Sequence, residues 1–378
     1  MQQPVVIVCL DGMGPDYVDA ALCAGRWPRV RAWLDGDGVY TVGRGVLPSF
    51  TNPNNMSIVT GERADVHGLC GNHYFDAVAQ REVSTEDPAC LRCPSLLARL
   101  EAEGARVATV TSKEKLRRLL GAGRTGPSFS AERAEAGTHA AWGIERLTAF
   151  VGEAAPPIYS EAASTFVLRA GLALLRHSKP DVLYLSTTDY LQHRFAPGAA
   201  ELDPFLREVD RVLGAMADEG ALVAVTADHG MNAKPRVLYL GEHLPDARIV
   251  LPITDPYVAH HGALGSCAFV NATDVEGAMA RLSALEGVCE VLPRDAAAAR
   301  HHLPADRIGD VVVFGDASTV LGKTRAHHDL SQLHGALRSH GGPAEAFVPL
   351  LFSTRPAVVP TESLGLLRAA LAQGELAS

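Results

Sequence analysis

Seven side chains in this sequence are of the kinds that hold divalent metal or attack phosphorus, and their spacing is informative. Asp228 and His229 stand side by side where the run ALVAVTADHG leaves its apolar part. Asp189 and His193 lie four apart in TTDYLQH. One helical turn brings such a pair to one face, with Cβ atoms about 5–6 Å apart, close enough to share an ion. Asp11 follows the run PVVIVCL, and His340 opens HGG towards the C-terminus. Thr51 lies in LPSFTNPNNMSIVTG, where prolines and asparagines oppose regular structure up to about residue 54 and residues 55–60 can start a helix. Its hydroxyl therefore falls at or just before a helix N-terminus, whose free amides and dipole favour an anion. That anion would be the deprotonated hydroxyl or a phosphoryl group attached to it. Together the three carboxylates, three imidazoles and hydroxyl can bind two borderline-soft divalent ions and leave positions open, as catalytic zinc requires.

Each signal has an ordinary reading when taken alone. Asp11 and Asp228 suit polar turns after strands, Thr51 suits a plain N-cap, and Asp189 with His193 suits a partly buried pair. Their joint occurrence is far more specific than any member. Lys113 and Lys115, in TSKEKLRRLL, follow another apolar run. Two ammonium groups there could clamp the anionic end of a substrate, although lysines opening a helix are more often solvated. Cys90 and Cys93 form a lone CxxC without a second pair or finger-spaced histidines nearby, which favours incidental thiols over a zinc or redox site. The adjacent pairs His260–His261 and His301–His302 project apart on regular elements and read as surface or loop histidines. His334 competes with His340 as a ligand.

The elements that must position these groups follow from the hydrophobic period. Residues 4–10, 106–111, 181–186 and 221–226 are apolar runs bounded by turn signals, the pattern of strands buried on both faces. Amphipathic segments at 94–103, 163–177 and 205–216 alternate with them, and a short helix at 28–34 and a strand at 39–42 lie near the start. The alternation predicts an α/β fold with a doubly wound, mostly parallel sheet, in which ligands bind beyond the carboxyl ends of the strands. Residues 62–86 lack a period and read as loops. A helix is expected to end at SHGG, residues 339–342, followed by AFVPLLF as a last strand and a closing helix at 361–373. Between about 256 and 322 the character changes to a β-α-β-α-β unit. It is expected to form a smaller inserted α+β cap at 256–325, to which 111–139 could add, while 1–255 and 326–378 make the metal-binding catalytic core.

A chain of 378 residues with 47% apolar content can bury a large core. Its 34 basic and 43 acidic residues, net −9, leave no electrostatic footprint for nucleic acid or an anionic membrane. An anionic small-molecule substrate would need a local positive site. The opening MQQPVVIVCLDG lacks a basic n-region and its apolar run is too short for a signal peptide or a membrane span. Seven cysteines then suggest reduced thiols and a cytoplasmic location. A homodimer is compatible with this reading.

The ordered set resembles the alkaline phosphatase superfamily, in its phosphodiesterase and phosphonate hydrolase branch. The residues that carry the likeness are Asp11-Gly12 with Gly14, Thr51 before Asn52-Pro53, Asp189 with His193, Asp228-His229-Gly230 and His340-Gly341-Gly342. It spans about residues 4–262 and 326–378. Within that branch, Asn72 in GNHYF and the lysine pair of VTSKEKLRRLLG resemble the phosphonoacetate hydrolases. The resemblance implies two Zn2+ ions, one on Asp189, His193 and His340 and the other on Asp11, Asp228, His229 and Thr51. It also implies Thr51 as a nucleophile that passes through phosphothreonine, Asn72 on the phosphoryl oxygens, and Lys113 and Lys115 on a substrate carboxylate. The implied reaction cleaves the carbon-phosphorus bond of phosphonoacetate to acetate and phosphate. A nucleotide pyrophosphatase or phosphodiesterase is the alternative within the superfamily, and a noncatalytic metal-binding module is the alternative from another class.

Overall fold

The computed structural model describes residues 3–253, 262–331, 333 and 335–374. At its centre seven strands lie in the order Val39–Arg44, Phe347–Phe352, Leu222–Thr226, Val5–Cys9, Val182–Ser186, Val107–Thr111, Ser128–Ser130. The last five run parallel, and Phe347–Phe352 is antiparallel to both its neighbours. Four of the parallel strands are buried at every residue, which is why their sequences run apolar without alternation. One helical layer contains Pro28–Asp35, Glu161–His177 and Asp203–Asp218; the other contains Thr51–Thr60, Leu96–Ala102, Glu114–Leu120 and Leu366–Gln373. The architecture is the expected α/β fold around a mostly parallel, doubly wound sheet.

A second, antiparallel sheet takes the order Arg248–Val250, Cys267–Asn271, Val311–Gly315, Val288–Pro293, with helices Val275–Ser283 and Arg294–His301 packed on it. Its first strand precedes residue 256. The 111–139 segment belongs with the main sheet: Ser128–Ser130 pairs with Val107–Thr111. Arg124, buried against Glu101 at 2.6 Å, ties the connection to the Val107 carbonyl.

Local readings change in four places. The helix expected from about residue 55 starts at Thr51, because Pro53 falls in its first turn, where no backbone donor is needed. Residues 62–86 contain the hairpin His73–Asp76 with Arg81–Ser84 as well as a short helix, Ala64–His67. Among the described residues no helix leads to SHGG: Arg325–His327 is a single 3-10 turn, Gly335 has φ +94°, and Arg338–Ser339 is a short strand paired with Asn232–Ala233. The closing α-helix begins at Leu366, after a 3-10 turn at Ser363–Gly365. His260, His261 and His334 lie outside the described residues.

Behind the Thr51–Thr60 helix, His67 is fully buried, 2.9 Å from Ser57 Oγ. Leu69 N donates to its Nδ1 at 3.2 Å, so Nε2 carries the proton and donates to Ser57. Burial pulls its pKa down to about 3. An unfolded histidine titrates near ~6.5, so below that pH the unfolded chain binds a proton that the folded chain refuses. Stability from this group is therefore whole above about pH 6.5 and falls by about 1.4 kcal/mol per pH unit beneath it, down to the folded value. Thermal melts between about pH 7 and pH 5 should show a shallower loss for His67→Gln than for the parent chain; equal slopes would contradict a buried neutral imidazole.

Candidate active site

Strand register does the first part of the assembly. Cys9 pairs with Thr226 on one side and Ser186 on the other, and Ser186 pairs with Thr111, so four parallel strands end level. Two residues past those ends come Asp228, Asp11, Thr188 and Lys113, with Asp189 next after Thr188. With neighbouring strands about 4.8 Å apart, Asp11 necessarily stands between Asp228 and Asp189. The chain passes very closely here. Gly12 has φ +69°, and a Cβ on it would lie 2.9 Å from the Asp189 Cβ, so the turn needs glycine. Its amide donates to Asp228 Oδ1 at 3.2 Å.

Each of the three imidazoles gives its Nδ1–H to a backbone carbonyl: His193 to Arg338 at 2.8 Å, His340 to Ser49 at 2.8 Å, His229 to Gly230 at 2.9 Å. A carbonyl only accepts, so Nδ1 holds the proton and Nε2 turns inward as a donor atom for a cation. His193 Nε2 is 2.9 Å, and His340 Nε2 3.8 Å, from Asp189 Oδ2. His229 Nε2 is 3.3 Å from Asp11 Oδ1, 3.4 Å from Thr51 Oγ1 and 3.9 Å from Asp228 Oδ1. The His229 and His340 rings stack with centroids 3.6 Å apart. Among the described residues two groups of ligand atoms converge, Asp189–His193–His340 and Asp11–Asp189–His229, each within 4.8 Å. Asp189 thus takes part in both. Asp228 reaches the second group less directly: Gly12 N and His229 N donate to its Oδ1, and Asn55 Nδ2 to its Oδ2.

The charge of this centre asks for cations. Asp11 Oδ1 is buried without a hydrogen-bond donor. Burial first, then Asp189 and Asp228, push the Asp11 carboxyl well above its usual range. Burial opposes ionisation of Asp189 too, but Lys113, 3.7 Å away, and His193 hold its carboxyl well below the ordinary value. Burial likewise works against a charged His229, yet Asp228, Asp11 and Asp189 pull it up to about 10. Burial and the neighbouring His229 keep His340 low. An orphaned carboxylate oxygen facing inward imidazole nitrogens is a donor set that fits divalent ions of the zinc type.

Thr51 is the first residue of its helix and opens on a small pocket, partly open to solvent, with Asp11, Asn52, Asn72, His73, Lys113 and Lys115 among its walls. Backbone bonds from Asn72 N to Pro252 O and from Thr85 N to Asn72 O fix the Asn72 segment, and Asn72 Oδ1 is buried with no hydrogen-bond partner. Lys115 Nζ lies 3.6 Å from Glu86 Oε2. All ten residues proposed from the sequence therefore line the pocket or lie at the ligand centre. Several partners were not foreseen. Asn55, whose Nδ2 bonds the Thr51 carbonyl and Asp228, is itself oriented by Tyr184 OH at 2.8 Å; its place one helical turn after Thr51 was a usable signal. Arg338 had no such signal: buried, it holds the Gln192 and Met231 carbonyls while its own carbonyl receives His193. The CxxC does not form a disulfide; all seven cysteines are free.

A sequence model of the type I phosphodiesterase / nucleotide pyrophosphatase family matches residues 5–342, a span that takes in every one of these side chains. The chain belongs to that family. Its fold is similar to that of phosphonoacetate hydrolase from Sinorhizobium meliloti 1021 in complex with phosphonoacetate, with TM-score 0.93 and 41% identity over 100% of this chain and 96% of that one. The same protein in complex with phosphonoformate matches with TM-score 0.93 and 42% identity, again over 100% and 96%. Murine ectonucleotide pyrophosphatase / phosphodiesterase 5 shares the fold at TM-score 0.69 and 17% identity, over 99% of this chain and 95% of that one. Over 94 residues the chain is 30% identical to an uncharacterized pyrophosphatase/phosphodiesterase of Schizosaccharomyces pombe; that match takes in 25% of this chain and spans only 19% of the relative's length. The chain is thus a member of a hydrolytic enzyme family. Among the described residues no helix is long and apolar enough to cross a membrane.

The Gly12 crossing gives a direct check. Gly12→Ala should push the Asp11 and Asp189 loops apart, weaken binding of added Zn2+ in a chelator-competition titration, and cost roughly 1–3 kcal/mol of stability through the strained backbone. Wild-type binding in that variant would mean that the crossing does not set the ligand positions.

Proposed function

We propose that the protein is a dizinc hydrolase that cleaves the carbon-phosphorus bond of phosphonoacetate, giving acetate and phosphate through a phosphothreonine intermediate. The observation that carries this reading is one pocket shared by a helix-N-terminal threonine, two converging ligand groups and two lysines from the neighbouring strand exit. The similarity to a phosphonoacetate hydrolase along the full chain supports it. In this reading Asp189, His193 and His340 hold one ion, and Asp11, Asp228, His229 and Thr51 the other. Residues 1–255 and 326–378 form the catalytic core and 256–325 the cap, with the Arg248–Val250 strand of the first span joining the cap sheet. The free thiols and the absence of a membrane-length helix among the described residues suit a cytoplasmic setting.

When bound, zinc would lower the pKa of the threonine hydroxyl and offset charge on the phosphoryl oxygens. Thr51 Oγ, its proton lost, attacks phosphorus from the helix N-terminus, where the free first-turn amides favour the gathering negative charge. Asn72 holds the phosphoryl oxygens in place. The carbon-phosphorus electron pair passes to the methylene carbon and spreads into the adjacent carboxylate as an enediolate. Lys113 and Lys115 stabilise that charge as it develops. The proton given up by Thr51, relayed through solvent, adds to the carbon and yields acetate. Water then attacks the phosphothreonine, releasing phosphate and returning the proton to Thr51. Lys113 also touches Asp189, so it links the carboxylate site to the ligand centre, whereas Lys115, paired with Glu86, reports on the carboxylate site alone.

A substrate panel with zinc-loaded protein tests this. Phosphonoacetate should give equimolar acetate and phosphate, chelation should abolish turnover and Zn2+ restore it, and Thr51→Ala should lose about a thousandfold or more in kcat. Lys115→Ala should lower kcat/KM for phosphonoacetate by about 10–100-fold, the worth of a hydrogen bond to a charged group, while barely changing hydrolysis of an aryl phosphodiester. Faster turnover of a nucleotide or aryl phosphodiester, indifferent to both lysines, would replace this reading with that of a nucleotide pyrophosphatase or phosphodiesterase.

A further inference from the structure

Beside the ligand centre lies a buried ion pair that the proposed reaction does not touch. Lys234 Nζ is 2.8 Å from Glu345 Oε1, and neither side chain has exposed surface. Glu345 is held from every side: Asn232 Nδ2 donates to its Oε1 at 2.6 Å, Gly342 N to its Oε2 at 3.1 Å, and Gly230 N to its backbone carbonyl at 2.7 Å. Those contacts lead straight to two imidazoles. Gly230 is the residue whose carbonyl receives the His229 Nδ1 proton. On the other branch, Gly342 O accepts from Ser49 Oγ at 2.8 Å, Ser49 Oγ accepts from Gly341 N at 3.0 Å, and the Ser49 carbonyl receives the His340 Nδ1 proton. The Glu345 carboxylate therefore holds the Gly342 amide on the His340 branch, while the backbone carbonyl of the same residue holds the Gly230 amide on the His229 branch. Lys234 neutralises it, and its own amide bonds the Leu337 carbonyl, next to the strand that precedes His340.

Stability alone is a poor reason for such a pair, because burying two charges costs desolvation that a well-packed apolar pair avoids. We propose that the Lys234–Glu345 pair is a positioning device that fixes His229 and His340 with their Nε2 atoms turned to the metal. This rests on the reading that those imidazoles bind metal. Partners beyond the ligands set ligand orientation, and their loss typically weakens metal binding about 10–100-fold.

The test compares wild type with Lys234→Met/Glu345→Gln, which removes both charges but keeps an acceptor for Gly342 N, and with Asn232→Ala, which only loosens Glu345. Zinc affinity is measured by competition with a chromogenic chelator, alongside the melting temperature of the metal-free protein and kcat and KM at saturating zinc. The double variant should bind zinc about 10–100-fold more weakly and lose kcat with KM unchanged. Asn232→Ala should lose roughly threefold to tenfold in zinc affinity without a matching fall in melting temperature, and it carries the test if the double variant does not fold. Folded variants that bind zinc as wild type does, with only the melting temperature lowered, would make the pair purely structural and overturn the proposal. Wild-type protein that binds no zinc would instead overturn the metal-centre reading, and this inference with it, before any variant is compared.

Discussion

Three carboxylates buried together at the end of a parallel sheet are the constraint around which this structure is arranged. Asp11, Asp189 and Asp228 are each at most 3% exposed, and a low-dielectric site cannot hold three such charges without compensation. The arrangement supplies partial compensation from His229, whose pKa is pulled up to about 10, from the Lys113 ammonium and from backbone amides on Asp228. What remains, above all the undonated Asp11 Oδ1, is a site whose electrostatics favour bound divalent cations. Burial and the neighbouring Asp189 and Asp228 displace Asp11 upward, whereas Asp189, equally buried, is held down by Lys113 and His193.

Holding that concentration of charge in one geometry falls largely to the main chain. Carbonyls of Ser49, Gly230 and Arg338 fix all three histidine tautomers, and buried side chains hold those same segments from behind: Arg338 for the His193 turn, Glu345 with Lys234 for the His229 and His340 loops. Asn55 performs the equivalent service for Asp228 and Thr51, with Tyr184 behind it. The candidate ligands are thus placed at the ends of a rigid sheet, so the distance from Thr51 at its helix N-terminus to the centre is held.

The pocket above the centre is built differently. Its floor comes from the sheet and the Thr51 helix, but part of its wall comes from the hairpin His73–Asp76 with Arg81–Ser84 and the Glu86 that follows. Lys323 reaches Glu82 at 3.0 Å and Arg248 lies over the Phe75 ring, so the hairpin is tied to segments outside the central sheet. The two lysines that face the pocket are already engaged with carboxylates, Lys113 with Asp189 and Lys115 with Glu86. In the proposed function a substrate carboxylate joins an existing network of opposite charges.

Sequence alone settled much of this protein, because its strongest signals are local. Continuous apolar runs dictate strands buried on both faces, and a residue that follows such a run must sit at the sheet edge; Asp11, Asp189, Asp228 and Lys113 were legible for that reason. The i, i+4 spacing of Asp189 and His193 and the helix-start chemistry around Thr51 were legible on the same grounds. Features of weak period were misread: the short strand at Ser128–Ser130, the hairpin before Glu86 and the stretch before His340 are too brief or too polar for hydrophobic pattern to decide. Tertiary structure alone decided which residues orient the ligands. The contacts of Ser49 with His340, Arg338 with His193 and Glu345 with Gly230 join segments far apart in the chain through backbone atoms, and a backbone carbonyl is the same in every residue, so no side-chain pattern could announce them.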